Sequence, residues 1–422
     1  MTDILDELRW RGLMAQSTDI GALRAALAEG PVTYYCGFDP TAPSLHHGHL
    51  VQLIVMRHLQ QAGHHPLALV GGATGMIGDP RMSGERQLND KDTVAGWTDR
   101  LRGQIERFLD FEGENGARMV NNLDWIGGLT TIDFLRDVGK HFRLGTMLAK
   151  DTVARRLESD EGISFTEFSY QILQGLDFLE LFRRYGCTLQ TGGNDQWGNL
   201  TAGVDLVRKA EGASAHVLTT PLVTKADGTK FGKSEGGAIW LDADMFSPYA
   251  FYQFWLNADD ADVVRFLKIF TFRSREEIEE LERAVSEAPG AREAQRALAE
   301  DVTTLVHGPD ATERVRRASQ ALFGRDDLRE LDPATLRDAV AELPQGPAEV
   351  GRSTVMDLLV ATGLEKGRNA ARRTISSGGA YLNNEKVTDE EQLLRTEDLL
   401  AGGYALLRKG RKNLAVATVD EA

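Results

Sequence analysis

Cysteine is nearly missing. Cys36 and Cys187 are the only two in 422 residues, far apart in the chain. A disulfide framework is thereby excluded, and a reducing compartment, the cytoplasm, is expected. Long apolar runs are missing too. Stretches such as Leu53–Met56 and Leu67–Val70 are core-sized, far short of the ~20 residues that a bilayer-crossing helix needs, so no membrane role is expected. The first ten residues hold Asp3, Asp6 and Glu7 and no apolar stretch, which speaks against a signal or transit peptide. Positive charge is in deficit: 48 Lys and Arg face 63 Asp and Glu, for a net charge of −15. Phosphate is repelled by such a field, so nucleic-acid affinity over the whole surface is excluded. Internal repeats and low-complexity segments are absent as well.

What is there fits an ordinary globular protein, with 42% hydrophobic and 26% charged residues. At about 150 residues per domain the length predicts roughly three domains. The acidity is uneven. From Arg352 to Lys412 there are 11 Lys and Arg against 8 Asp and Glu, a local +3, which leaves nucleic acid open as a partner of the tail.

The first half alternates strand and helix signals. Val32–Phe38 is β-rich and ends in a turn run from Asp39 to Ser44. A helix is predicted over about Gly48 to Ala62, stopped by Gly63. Pro66–Gly71 reads as a buried strand that runs into a glycine-rich stretch ending at Gly78-Asp79-Pro80. Arg118–Asn122 and Cys187–Thr191 read as further strands. The alternation predicts an α/β catalytic domain: a Rossmann-like, doubly wound parallel sheet over residues 1–246, with ligands at the carboxyl ends of its strands. Residues 247–343 read as an α-helical domain, with Ser274 and Glu277 forming a capping box. Residues 344–352, with Pro344 and Pro347, read as a linker. A small α+β unit follows at 353–422.

Four groups of residues carry chemistry. His46-His47-Gly48-His49 follows a strand and opens a helix. Imidazole N–H groups beside outward-facing backbone amides suit an anion, and Gly48 lets a nucleotide approach the backbone. Six of the nine histidines fall between His46 and His65, yet no thiolates or carboxylates stand at zinc-like spacing, so no metal site is expected. The second group, Lys225 to Ser234, places Lys230 and Lys233 three apart with Gly228 and Gly232. Such a loop suits polyphosphate, although Lys/Gly loops are commonly just solvated. The Walker pattern is not met. Third, Tyr170, Gln174 and Asp177 share one helix face within an arc of ~60°. Either a small polar ligand or an internal hydrogen-bond network would satisfy them. Fourth, Gly192 to Asn199 is a strand-to-helix turn with Asp195 and Gln196 at its tip. No Ser/His/Asp or Cys/His set is present.

In this order the segments resemble the class I aminoacyl-tRNA synthetases. His46–His49 is similar to the family's HIGH signature, with His47 in place of isoleucine, and Lys230–Ser234 to its KMSKS signature. Within the class the resemblance is to the bacterial tyrosyl-tRNA synthetase family, through Tyr35–Thr41, Phe165–Tyr170, Gly193–Asn199 and Lys225–Ser234. The tail, with Tyr381–Val387, resembles the S4 RNA-binding domain.

The resemblance implies a ligase that activates L-tyrosine with ATP, as its Mg2+ complex, and then charges tRNA-Tyr. It implies that Thr41 and His46 hold the ATP phosphates while Lys230, Lys233 and Ser234 close over pyrophosphate. Cys36, Gly37, Asp39, Gly48, His49, Asp195 and Gln196 would surround the adenosine and the activated carboxylate. Asp79, Tyr170, Gln174 and Gln196 would hold the amino acid, with Tyr35 and Asp177 on its phenol. Arg368, Arg372, Arg373, Lys409, Arg411 and Lys412 would contact tRNA. A homodimer formed through residues 121–165 is implied. The loop from Arg81 to Arg86 departs from the family by lacking lysines, and either of those arginines is a candidate substitute there.

Overall fold

A computed structural model describes residues 3–80, 88–229, 231–234, 237–410 and 413–419. Residues 1–245 with 259–294 make one compact unit, and 246–258 with 295–422 make a second. In the first, alternating segments become β1 (Thr33–Phe38), α1 (His47–Gln61), β2 (His65–Val70), α2 (Lys91–Ile105) and β3 (Arg118–Asn121). They continue as α3 (Phe165–Tyr185), β4 (Leu189–Gly193), α4 (Trp197–Glu211) and β5 (His216–Thr220). All five strands run parallel in the order β3-β2-β1-β4-β5. Tyr34, Tyr35, Cys36 and Phe38 are all buried, because a central parallel strand is covered on both faces.

The strand order reverses direction between β1 and β4, and ligands of such sheets sit at that switch. α1 buries Leu50, Leu53 and Ile54, and Gly63 ends the turn after it with φ +95. The strand expected at Cys187–Thr191 begins two residues later. Gly186 turns out of α3 in the left-handed region, and Cys187 is buried in that turn. No expectation covered β5, whose run His-Val-Leu-Thr-Thr holds only two aliphatic residues.

The expected helical domain over 247–343 is divided between the two units. Helices Asp260–Phe270 and Arg275–Glu287 belong to the first unit. Arg11, 3% exposed, explains this: its guanidinium donates to the carbonyls of Thr271 (2.8 Å) and Arg273 (2.6 Å). The capping box of Ser274 and Glu277 forms as expected.

The second unit holds helices Pro248–Leu256, Pro309–Ala321 and Pro333–Ala341. Its sheet comprises β8 (Gln345–Pro347), β9 (Ala380–Leu382), β10 (Glu385–Lys386), β11 (Tyr404–Lys409) and β12 (Asn413–Thr418). Two short antiparallel strands, β6 (Lys233–Ser234) and β7 (Gly237–Ala238), pair in the first unit. The expected linker at 344–352 is corrected here: Gln345–Pro347 pairs with Val416–Thr418 of β12. Edge position tolerates the proline, which needs no donor on its open side. Helices α5 (Val355–Ala361) and α6 (Arg368–Ser376) bury Leu358, Leu359 and Ile375 against Leu382 and Leu407 of the sheet. Asn383 and Asn384 both take positive φ, as the tight turn between β9 and β10 requires. The Asn384 amide donates to the Ala321 carbonyl at 2.7 Å, which ties the tail to the preceding helices.

Candidate active site

Asp39 follows the last residue of β1, and two hydroxyls converge on it. Tyr170 of α3 donates to Oδ2 at 2.6 Å and Thr74 to Oδ1 at 2.7 Å. Asn122 links Thr74 to Asp177, its amide donating to the threonine oxygen (2.8 Å) and to Asp177 Oδ2 (3.1 Å). Trp125 donates to Asp177 Oδ1 at 2.9 Å. A continuous polar chain therefore crosses the carboxyl end of the sheet from Trp125 to Tyr170. Asp177 is 3% exposed. Burial pushes its carboxyl up to about 8, against the two hydrogen bonds that favour ionisation. Burial, then the carboxylates of Asp39 and Asp79, raises the Tyr170 phenol well above its ordinary range, so it stays a donor.

Inside this chain stand polar atoms without partners among the described residues. The Tyr35 hydroxyl is buried and unbonded, with its ring edge-on to Phe178 at 5.3 Å. Oε1 of Gln174 and of Gln190 are buried and unbonded too. Gln190 is the strand neighbour of Tyr35 across β1 and β4, so the two side chains share a face. Each orphaned group costs about 1–3 kcal/mol. An orphaned hydroxyl within electrostatic reach of the Asp177 carboxylate, with two orphaned amide oxygens besides, indicates a polar ligand rather than a finished internal network. The two alternatives left open for Tyr170, Gln174 and Asp177 thus divide: Tyr170 and Asp177 hold internal bonds, while Gln174 waits for a partner.

A second cluster faces it. Asp79 accepts from Gln196 Nε2 and Asn199 Nδ2, both at 3.0 Å. Asp195 is exposed on the turn between β4 and α4. Cys36 is 2% exposed, and burial pushes its thiol up to about 12. Gly37 is the exposed position near the end of β1, and Thr41 is exposed just beyond it.

His46 is the N-cap of α1. Its Nδ1 accepts from Gly48 N at 3.0 Å, and its own backbone donates to His49 Nδ1 at 3.2 Å. The two rings stack at 4.0 Å. An imidazole that accepts at Nδ1 carries its proton on Nε2, so both present one N–H donor beside the helix N-terminus. Burial, then His46 and His47, depresses the His49 pKa well below its usual value. The segment that follows the lysine loop is bound to this helix start: His47 N donates to Ile239 O and Leu241 N to Leu45 O, both at 2.9 Å. Phe231 is buried between the His47 ring and Phe266. Lys230 lies outside the described residues, and β6 gives the backbone placement of Lys233 and Ser234. Among the described residues no three His, Cys, Asp or Glu side chains converge as metal ligands.

Residues 27–324 match the family model described as tRNA synthetases class I (W and Y). Residues 335–417 match that of a tyrosine--tRNA ligase SYY-like C-terminal domain. The tyrosine--tRNA ligase of Streptomyces coelicolor is 65% identical over 100% of both chains, and that of Acidothermus cellulolyticus 59% identical over 100% of both. A C-terminally truncated mitochondrial tyrosyl-tRNA synthetase of Aspergillus nidulans superposes with TM-score 0.70 at 31% identity, over 76% of this chain and 95% of that one. The chain belongs to the class I tRNA synthetases.

In this synthetase, sequence reasoning missed Thr74, Asn122, Trp125 and Gln190. Asn199 lies at the end of the Gly192–Asn199 turn, yet its part in holding Asp79 has no local signal. In the tail, Arg368 pairs with Asp357 (2.8 Å), Arg372 with Glu390 (2.9 Å) and Lys409 with Glu365 (3.0 Å). Arg373 is exposed on α6. Arg411 and Lys412 lie outside the described residues, as do Arg81 and Arg86.

Proposed function

We infer that the chain is a tyrosine--tRNA ligase. It activates L-tyrosine with ATP to tyrosyl-adenylate and pyrophosphate, then transfers the tyrosyl group to the 3′-terminal adenosine of tRNA-Tyr. The observation that carries the choice of amino acid is the buried, unpartnered Tyr35 hydroxyl beside Asp177. A phenol is both donor and acceptor. It accepts from Tyr35, which burial keeps protonated, and donates to Asp177. Phenylalanine would leave both groups desolvated and unbonded.

Asp79, with Gln196 and Tyr170 beside it, holds the substrate ammonium, and Gln174 lends its open acceptor. The substrate carboxylate is already a nucleophile and needs no general base. The protein supplies alignment and charge stabilisation as the α-phosphate is attacked and pyrophosphate leaves. ATP enters as its Mg2+ complex. Thr41, the Nε2–H groups of His46 and His49 and the α1 N-terminus face the phosphates, while Lys230, Lys233 and Ser234 close over pyrophosphate. Cys36, Gly37, Asp39, Gly48 and Asp195 border the adenosine.

The protein works as a C2 homodimer through residues 121–165. Ile132 (66% exposed), Leu135, Leu144 (66%), Leu148, Leu157 and Phe165 (73%) support this, since so much exposed apolar surface in one segment marks an interface. The S4-like tail contacts tRNA, and the protein acts in the cytoplasm, where charging is needed. Tyrosine-dependent exchange of pyrophosphate into ATP tests the reading. Exchange with tyrosine and none with phenylalanine or tryptophan is expected; exchange driven by tryptophan instead would refute it.

A further inference from the structure

Lys150 has no part in the reaction as argued so far, yet it reaches the centre of the site. It lies between β3 and β4, on a segment braced by the buried ion pair of Arg156 with Glu167 (2.9 Å). Its ammonium donates to Oδ1 of Asn199, which is 1% exposed. The lysine stem crosses the start of α4 at Gly198, where a β-carbon would stand 3.0 Å from its Cε. The helix is bare where the lysine passes.

The chemistry that follows is directional. An ammonium can only donate, whereas an amide has an accepting and a donating end. With its oxygen held by Lys150, Asn199 must turn its NH2 group the other way. Both N–H bonds are used there, toward Asp79 Oδ1 (3.0 Å) and Gln196 Oε1 (2.8 Å). Gln196, its oxygen now taken, donates from Nε2 to Asp79 Oδ2 at 3.0 Å. Each oxygen of Asp79 therefore receives an amide proton, and the orientation of both amides follows from the lysine. Burial lowers the Lys150 pKa, while Asp79 and Asp195 favour its charged form.

We propose that Lys150 is a positioning residue that sets the polarity of the chain Lys150–Asn199–Gln196–Asp79, and so holds the Asp79 carboxylate for the substrate ammonium. This rests on the reading of Asp79 as the ammonium partner. Without the lysine, Asn199 is free to flip and turn its oxygen toward the carboxylate.

The test is pyrophosphate exchange with the full-length protein. K150M should raise the tyrosine KM roughly tenfold, with kcat and the ATP KM within about twofold, the scale of one lost charge-assisted hydrogen bond. K150R, again donor-only, should restore the tyrosine KM. Inhibition by 3-(4-hydroxyphenyl)propionate, which lacks the ammonium, should be unchanged in K150M. A lysine of merely structural importance would weaken tyrosine and this analogue alike, and that result would overturn the proposal. So would a K150M enzyme with normal exchange that fails only at tRNA charging. D79N separates the two layers. If it raises the tyrosine KM and K150M does not, the lysine assignment alone fails. If D79N leaves that KM unchanged, the ammonium reading falls, and the proposal with it.

Discussion

The imidazole of His47 fills the space in which a β-carbon on Gly232 would stand. The histidine that replaces the expected isoleucine is therefore a packing group, the floor on which the lysine loop rests. Gly232 also holds φ at +85, where a side chain costs about 1–2 kcal/mol. Gly232→Ala adds a clash to that strain and should displace Lys230 and Lys233 from the pyrophosphate. The expected result is a kcat for exchange lower by about tenfold or more, with the tyrosine KM within about twofold. His47→Ala in the same chain should recover part of the loss by removing the clash. A G232A enzyme with undiminished kcat would show that the loop does not need this seat.

Asp177 makes stability depend on pH. Its carboxyl is raised to about 8 by burial, so the folded protein binds that proton more tightly than the unfolded chain. The resulting stabilisation is complete below the ordinary carboxyl range and drains away as pH climbs through about 8. Asp177→Asn is uncharged throughout and lacks this term. The stability of D177N relative to the parent should therefore rise between about pH 5 and about pH 8, then level off. Urea midpoints across that range measure it, and a difference that is flat or falling would contradict the assignment.

The features legible in the sequence share one property: they are contiguous. A strand closing on Asp39, histidines at a helix start and a lysine loop each announce themselves within ten residues. So did Tyr170, Gln174 and Asp177, through helical spacing. Thr74, Asn122 and Trp125 could not, because they join Asp39 and Asp177 into one network only after β2 and β3 lie side by side. Lys150 lies in a segment of exposed leucines, and nothing in the local sequence singles it out. β8 was disguised by two prolines, which an edge strand accepts and a central strand would not. The resemblance to a family named roles that spacing alone left open, and the orphaned hydroxyl of Tyr35 supports the most specific of them.

Leu144 tests the proposed interface. It is two-thirds exposed on the segment that carries Ile132, Leu135 and Leu148. Burying a leucine is worth about 1.5–3 kcal/mol, and a twofold axis places each substitution at the contact twice. Leu144→Asp should thus convert the dimer to monomer at micromolar concentration, read by sedimentation. The same variant should lose exchange activity if Lys150, six residues on, depends on the packed segment. A protein that sediments as a monomer before any substitution would remove the dimer from the mechanism.

The tail poses a competition between its own acids and phosphate. Arg372 is paired with Glu390, but both side chains are solvent-accessible, and such pairs contribute about 0–1 kcal/mol. A tRNA phosphate can therefore displace the carboxylate at little cost. Two opposite outcomes follow from that exchange. Arg372→Glu should raise the KM for tRNA in charging and lower the salt dependence of binding by about one unit of slope. Glu390→Gln frees the same arginine and should lower the tRNA KM, while tyrosine activation, carried by the first unit, stays as it was. Equal tRNA affinity in the parent and both variants would mean that this face of α6 does not meet the RNA, and that the basic excess of the tail is a solvated surface.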